Sequence, residues 1–167
     1  EFDFNNKFVV KDINIDGIKF TNIEDLNYPI QKPGDPFLPT RIYEVGIPIN
    51  ANAVVNIQEI EKEIYKDKFI ISTPDSMNQP LSKLTYNAEV YGNNSSFPIE
   101  VATINSKANF RYIKTATLLV SPFQFNPVDR TLILNKKIII RIDYKQDPNF
   151  TDIISPVSDR LTEDLIK

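Results

Sequence analysis

Proline placement constrains the fold of this 167-residue chain more than any other feature. Four of its 12 prolines, at 29, 33, 36 and 39, fall inside the phrase YPIQKPGDPFLP, residues 28–39. Proline locks φ and donates no backbone hydrogen bond, so this stretch can be neither helix interior nor central strand. It reads as extended and irregular. Elsewhere, prolines and Gly/Asn-rich turns cut the chain into short runs. Inside those runs β-branched and aromatic residues alternate with polar ones, the period of a sheet with one wet face.

Lys7–Ile15 and Ile18–Ile23 flank Asp16-Gly17, a dipeptide suited to a tight hairpin turn. Arg41–Ile49 resumes as a strand that ends at Pro48. Ala53–Ser72 fits both a strand period and a helical one. Its β-branched content and the phrase Phe69-Ile70-Ile71 favour two strands around Lys66-Asp67. Thr73–Ser82 reads as a loop, and Thr85–Tyr91 as a short strand closed by Gly92-Asn93-Asn94-Ser95-Ser96. Ile99–Ile104 and Arg111–Ser121 read as strands separated by a polar loop, Asn105–Asn109. Phe123–Asn126 continues past Pro122 into a turn, Asn126–Arg130. Beyond it, Thr131–Leu134 is expected to pair with Lys137–Tyr144, with Ile138, Ile140 and Ile142 on one face and Ile139, Arg141 and Asp143 on the other. The pattern predicts an all-β, antiparallel β-sandwich or barrel-like domain over residues 1–157, followed by a short helical or loose tail at 158–167.

The chain contains no cysteine and no histidine. That removes Cys–His and Ser–His–Asp nucleophilic systems, thiolate and imidazole metal sites, and the commonest general base near neutral pH. No cofactor, metal or catalytic residue is expected. Paired carboxylates remain, but Glu59, Glu61, Glu63 and Asp67 alternate with lysine as a solvated strand face does. Asp12, Asn14 and Asp16 suggest a calcium loop, yet the glycine and downstream glutamate of such a loop are misplaced. A net charge of −3 with interspersed signs gives no nucleic-acid face. No apolar run reaches the roughly 20 residues of a membrane helix. There is no charged-then-apolar leader, so a signal peptide is expected to be absent or already removed.

Three phrases stand in a particular order. GDPFLP at 34–39 is followed by Gly46-Ile47-Pro48; then come RYIKTATLLVSPFQFNP at 111–127 and TLILNKKIIIRIDY at 131–144. In that order they resemble the N-terminal prodomain of gingipain-type cysteine peptidases, with Phe125 where that family usually has tyrosine. The resemblance spans Gly34 to Tyr144. Prolines that fix φ and glycines that permit tight turns account for the phrases structurally, so they point to a family and mark no site by themselves.

The resemblance implies a non-catalytic propeptide that assists folding of a cognate cysteine peptidase domain and covers its active site. It further implies secretion to the periplasm or surface of a bacterium after signal-peptide removal. In that family a basic side chain on a prodomain loop fills the specificity pocket, which requires a loop held rigid by strands. Lys107 within Asn105–Asn109 is the leading candidate here, and Arg111 the next. Arg160 and the terminal Lys167 are compatible with processing after a basic residue. The competing expectation is a β-sandwich binding module for carbohydrate or adhesion, which would present coplanar exposed aromatic rings.

Overall fold

The computed structural model describes residues 1–15, 17–24, 31–76, 79–110 and 113–148, and the expected tail at 158–167 lies outside them. The architecture turns on one strand. β9 (Thr131–Gln146) is paired on both edges. Along one edge β5 (Ala51–Tyr65) runs antiparallel to it, from Ala51 opposite Gln146 to Tyr65 opposite Leu132. Along the other edge β8 (Phe123–Asn126) covers Thr131–Leu134, and β1 (Phe2–Asp3) covers Lys137 and Ile138. The gap between β8 and β1 is closed by Asn135 N donating to the Pro122 carbonyl at 2.7 Å and Phe4 N donating to the Lys136 carbonyl at 2.7 Å. A second sheet has the order β4 (Arg41–Ile47), β7 (Ile113–Val120), β6 (Ala102–Phe110), all antiparallel. β2 (Val9–Ile15) and β3 (Ile18–Glu24) form a separate hairpin. Gly17, with φ +80°, supplies the positive backbone angle its turn requires.

The two larger sheets pack face to face as an antiparallel sandwich rather than closing into a barrel. Their shared core joins Leu118 and Val120 of β7 to Phe123 and Phe125 of β8 and to Leu132, Leu134 and Ile138 of β9. Alternation along β7 and β8 selects these residues. Gln124, between the two phenylalanines, is also buried because the 97–99 segment lies over it. Its Nε2 donates to the carbonyls of Pro98 (2.9 Å) and Ile99 (3.2 Å). Phe97 pairs with Phe125 through two 2.8 Å backbone hydrogen bonds. Phe123, Gln124 and Phe125 are therefore buried on both faces of the strand.

The proline-rich phrase is a core element too. Gly34 has φ +91°, and a Cβ there would lie 3.3 Å from the Asn87 backbone nitrogen. Pro36 and Leu38 are buried, Thr73 N donates to the Asp35 carbonyl at 2.6 Å, and Phe37 N donates to the Ile71 carbonyl at 2.9 Å. Extended and irregular is the correct description of residues 31–39, with its backbone polar groups satisfied by residues 71–73 instead of a sheet.

Four local expectations fail, each for an identifiable reason. Thr85–Tyr91 is not a strand: Ala88–Tyr91 is one turn of helix, α1, capped by Asn87, whose Oδ1 accepts from Glu89 N at 3.1 Å. Asn87 Nδ2 also donates to Asp35 Oδ1 at 2.7 Å, tying the cap to the GDP turn. Of the two strands expected in Ala53–Ser72, only the first forms. β5 takes β9 as its partner over its whole length, and the chain beyond Asp67 bonds instead to Thr21, Phe37 and Arg130. Thr131–Leu134 does not fold back on Lys137–Tyr144, because both belong to β9. Asn135 is fully buried and bonded to Ser121 and Pro122, and Lys136 is a bulge residue with no counterpart on β5. Asn105–Asn109 is not a loop but the middle of β6, bulged at Asn105. The Asn126–Arg130 turn and the two-faced pattern of Ile138–Asp143 hold. Asn126 Oδ1 accepts from Val128 and Asp129 N, while Ile138, Ile140 and Ile142 point into the core.

The β2–β3 hairpin is fastened by polar contacts as well as by Phe8, whose ring meets Phe123 edge-on at 5.0 Å. Asp12 accepts from Lys68 Nζ through both oxygens at 3.0 Å and from Thr21 Oγ1 at 2.8 Å. The Lys68 ammonium, helped by Thr21, holds the Asp12 carboxyl below the usual carboxylate range despite opposing desolvation. A depressed folded-state pKa stabilises the fold above the unfolded value, and that contribution fades as pH falls through the folded one. Asp12→Asn is therefore expected to destabilise the domain above about pH 5, with the difference from the parent closing as pH falls below about 4. Urea unfolding across that range measures it, and a pH-independent difference would contradict the pairing. Truncating Phe123 to Ala, at the centre of the core, is expected to cost about 3–5 kcal/mol in the same assay; a loss below about 1 kcal/mol would mean the sheets do not pack as described.

Candidate functional site

The β6–β7 hairpin carries Lys107, the leading basic candidate of the sequence. Lys107 sits in mid-strand opposite Ala116, not on a loop. Its Nζ donates to Asn52 Oδ1 at 2.8 Å, at an exposed position where β6 of one sheet meets β5 of the other. The last described pair of the hairpin is Phe110 opposite Ile113. The two residues between them in the sequence are Arg111 and Tyr112, which lie outside the described residues, as do Arg160 and Lys167. The candidates are thus not gathered into one cluster. Of them, only Lys107 is among the described residues, on an arm of the β6–β7 hairpin.

The arms are well braced. On the outer face, Ser106 Oγ donates to Thr117 Oγ1 at 2.9 Å, and Thr117 Oγ1 donates to Glu44 Oε1 at 2.7 Å. That chain of hydroxyls spans all three strands of the sheet. On the inner face, Lys114 is buried, and its Nζ donates to the Ala51 carbonyl at 2.7 Å. The same nitrogen lies 3.6 Å from Asp147 Oδ2. Lys114 shares parity with Ala116, Leu118 and Val120, all three almost fully buried, and that alternation turns it inward.

The other chemistries find no support in the geometry. Glu61 and Glu63 lie 3.5 and 3.7 Å from Lys136 Nζ, an ion-paired strand face rather than two converging carboxylates. Asp12 is occupied by Lys68 and Thr21, and among the described residues no cluster of three acidic side chains could hold a metal. Phe69, Tyr86 and Tyr91 form an aromatic group, but Phe69 and Tyr86 are inclined by 40° and Tyr86 and Tyr91 by 89°. Tyr91 is committed to the interior, its hydroxyl donating to the Ile70 carbonyl at 2.9 Å, and burial, with Tyr86 and Asp35 nearby, raises its pKa. Rings inclined in this way, with Tyr91 turned inward and only Tyr86 exposed, do not form a coplanar sugar-stacking platform. A cleft of about 240 Å³ between the 31–40 and 97–100 segments mixes Lys32 with Asp35 and Glu100, and Asp35 there is already bound by Asn87. No helix among the described residues is long and apolar enough to cross a membrane.

Against known families, residues 11–159 match the one described as Propeptide_C25, most of the chain. The chain belongs to the Propeptide_C25 family. As a Propeptide_C25 member it is the propeptide of a peptidase, which accords with the resemblance read from GDPFLP, SPFQFNP and their spacing. Two Gingipain R1 sequences of Porphyromonas gingivalis, one from strain ATCC 33277, are each 22% identical over 144 residues, 77% of this chain. The chain spans 14% and 8% of their respective lengths. Among solved structures, a chain from the complex of Porphyromonas gingivalis RgpB pro- and mature domains superposes with a TM-score of 0.77 at 19% identity, over 98% of this chain and 86% of that one. A structure bearing on zymogenic latency of gingipain K from the same organism gives a TM-score of 0.63 at 19% identity, over 84% and 82%. At that identity the likeness establishes the common propeptide fold.

Proposed function

We propose that this propeptide keeps a gingipain-like cysteine peptidase latent and assists folding of its catalytic domain, on a secreted or cell-surface route in a bacterium. The observation that carries the reading is the Propeptide_C25 match over residues 11–159. The sandwich fold shared with a pro-domain solved beside its mature domain supports it. A sequence without cysteine or histidine suits a chain that covers a nucleophilic centre belonging to its partner. An interface of standard size, roughly 1,600 Å² in total, would serve that role.

Within this reading the β6–β7 hairpin enters the partner's active site, and a basic side chain fills an acidic specificity pocket. A charge-assisted contact of that kind is worth about 1.5–3 kcal/mol. Bracing of the arms on both faces lowers the ordering cost of binding and resists the distortion that cleavage of the connection would require. Arg111 is the residue we assign to the pocket. Lys107, on an arm and engaged with Asn52, supports the hairpin instead. Arg160 and Lys167 are then positions for release by cleavage after a basic residue.

Titration of the chain into the catalytic domain encoded with it, following hydrolysis of arginyl and lysyl peptides, tests this. Stoichiometric inhibition is expected. Arg111→Ala should weaken it at least about tenfold, and Lys107→Ala no more than about threefold. Undiminished hydrolysis at a molar excess of the chain would overturn the latency role. A loss with Lys107→Ala equal to that expected for Arg111→Ala would transfer the pocket to Lys107.

A further inference from the structure

At the end of the sandwich where β9 finishes, the core is thin. It consists of Ile47, Ala53 and Ala116, with Ile104 and Ile142 packed against them, and Ala51 is buried beside them. The small side chains of Ala53 and Ala116 in this cluster leave room between β5 and β7 for a longer one. Across this gap reaches Lys114, whose side chain retains only 8% of its exposure. It starts on β7 of one sheet. It ends on the carbonyl of Ala51 at the start of β5 and beside the carboxylate of Asp147, one residue past β9. Two further polar contacts join the sheets at this end: Lys107 to Asn52, and the Tyr144 hydroxyl to the Gly46 carbonyl at 3.5 Å. Here polar links join the sheets beside a small apolar cluster.

A buried ammonium is an expensive way to fill such a space. It must surrender hydration, and it contributes only while its carbonyl and carboxylate partners stay in place. An apolar side chain of similar length would fill the gap without that requirement. What the charge adds is a single permitted arrangement of β7 relative to β5 and to the chain leaving β9. We propose that Lys114 is a positioning residue for inhibition, which fixes the β6–β7 hairpin in one orientation by clamping it to Ala51 and Asp147. The inference rests on the latency reading above and gives the hairpin its anchor. It also ties the hairpin to the segment through which the chain continues past Asp147.

Lys114→Met keeps the apolar stem and removes the ammonium; Lys114→Arg restores a cation. Inhibition of the catalytic domain, thermal melting and residue-resolved amide exchange of the full chain read the outcome. With Lys114→Met, the inhibition constant should rise about tenfold, and amides of β6 and β7 should exchange at least tenfold faster while those of β9 opposite β8 keep their rates. Lys114→Arg should recover most of both effects. Unchanged exchange in β6 and β7, or faster exchange spread evenly over every strand in step with a lower melting temperature, would reduce Lys114 to an ordinary buried residue. Localised exchange with an unaltered inhibition constant would likewise overturn the positioning role. Should the parent chain itself fail to inhibit, the latency reading falls, while the exchange data still decide whether the clamp exists.

Discussion

The two-sided pairing of β9 is the constraint on which the rest of the molecule depends. Its partners come from three separate parts of the chain, residues 2–3, 51–65 and 123–126, and only the last is local. β1 in particular contributes two residues to the ladder and then sends Phe4 into the core. Closing such non-local pairs costs loop entropy before any pairing energy returns, and domains built this way fold slowly. The two bulges, at Gln58 and Lys136, let strands of this length keep a strong twist. The second sheet inherits its position from this one, since β7 is held against β9 and β8 by the shared cluster of Leu118, Val120, Phe123, Phe125 and Leu132.

That division gives the two ends of the sandwich different characters. Near β8 and the start of β9 the core is large and aromatic, closed by the 97–99 segment and by the proline-rich stretch. Near the end of β9 it shrinks to alanines and isoleucines, and Lys107, Lys114 and Tyr144 take over the task of holding sheet to sheet. The β6–β7 hairpin opens at this second end. On the proposed latency role, the bulky core would supply a stable body, and directional polar contacts, which tolerate few alternative geometries, would hold the inhibitory element.

What was legible in the sequence was whatever is decided locally. Asp16-Gly17, the Asn126–Arg130 turn and the prolines at 33, 36 and 39 announce their own backbone geometry, and the alternation in Ile138–Asp143 announces its two faces. The choice of partner was not legible. Nothing within Ala53–Ser72 says that β5 must ignore its neighbour and seek a strand some 80 residues away. Nor does the polar run Asn105–Asn109 reveal itself as a strand, because its strand character comes from pairing with β7 and not from its own propensity. Asn87 and Gly92 did carry a helix-start and helix-stop signal, which the apolar residues between them obscured. Of the site, the family was readable from ordered phrases, whereas the burial of Lys114 depends on which face of β7 the other sheet covers. The position of the hairpin connection depended on register, where a shift of a few residues moves a candidate from loop to arm.

On the function proposed above, the β6–β7 end of the sandwich is the face presented to the peptidase. Amide-exchange footprinting of the chain, free and bound to its catalytic domain, tests it most directly. New protection is expected in β6, β7 and the start of β5, with the β2–β3 hairpin and the Asn126–Arg130 turn unaffected. Protection that instead gathers on the β2–β3 hairpin or that turn, with β6 and β7 unchanged, would contradict it.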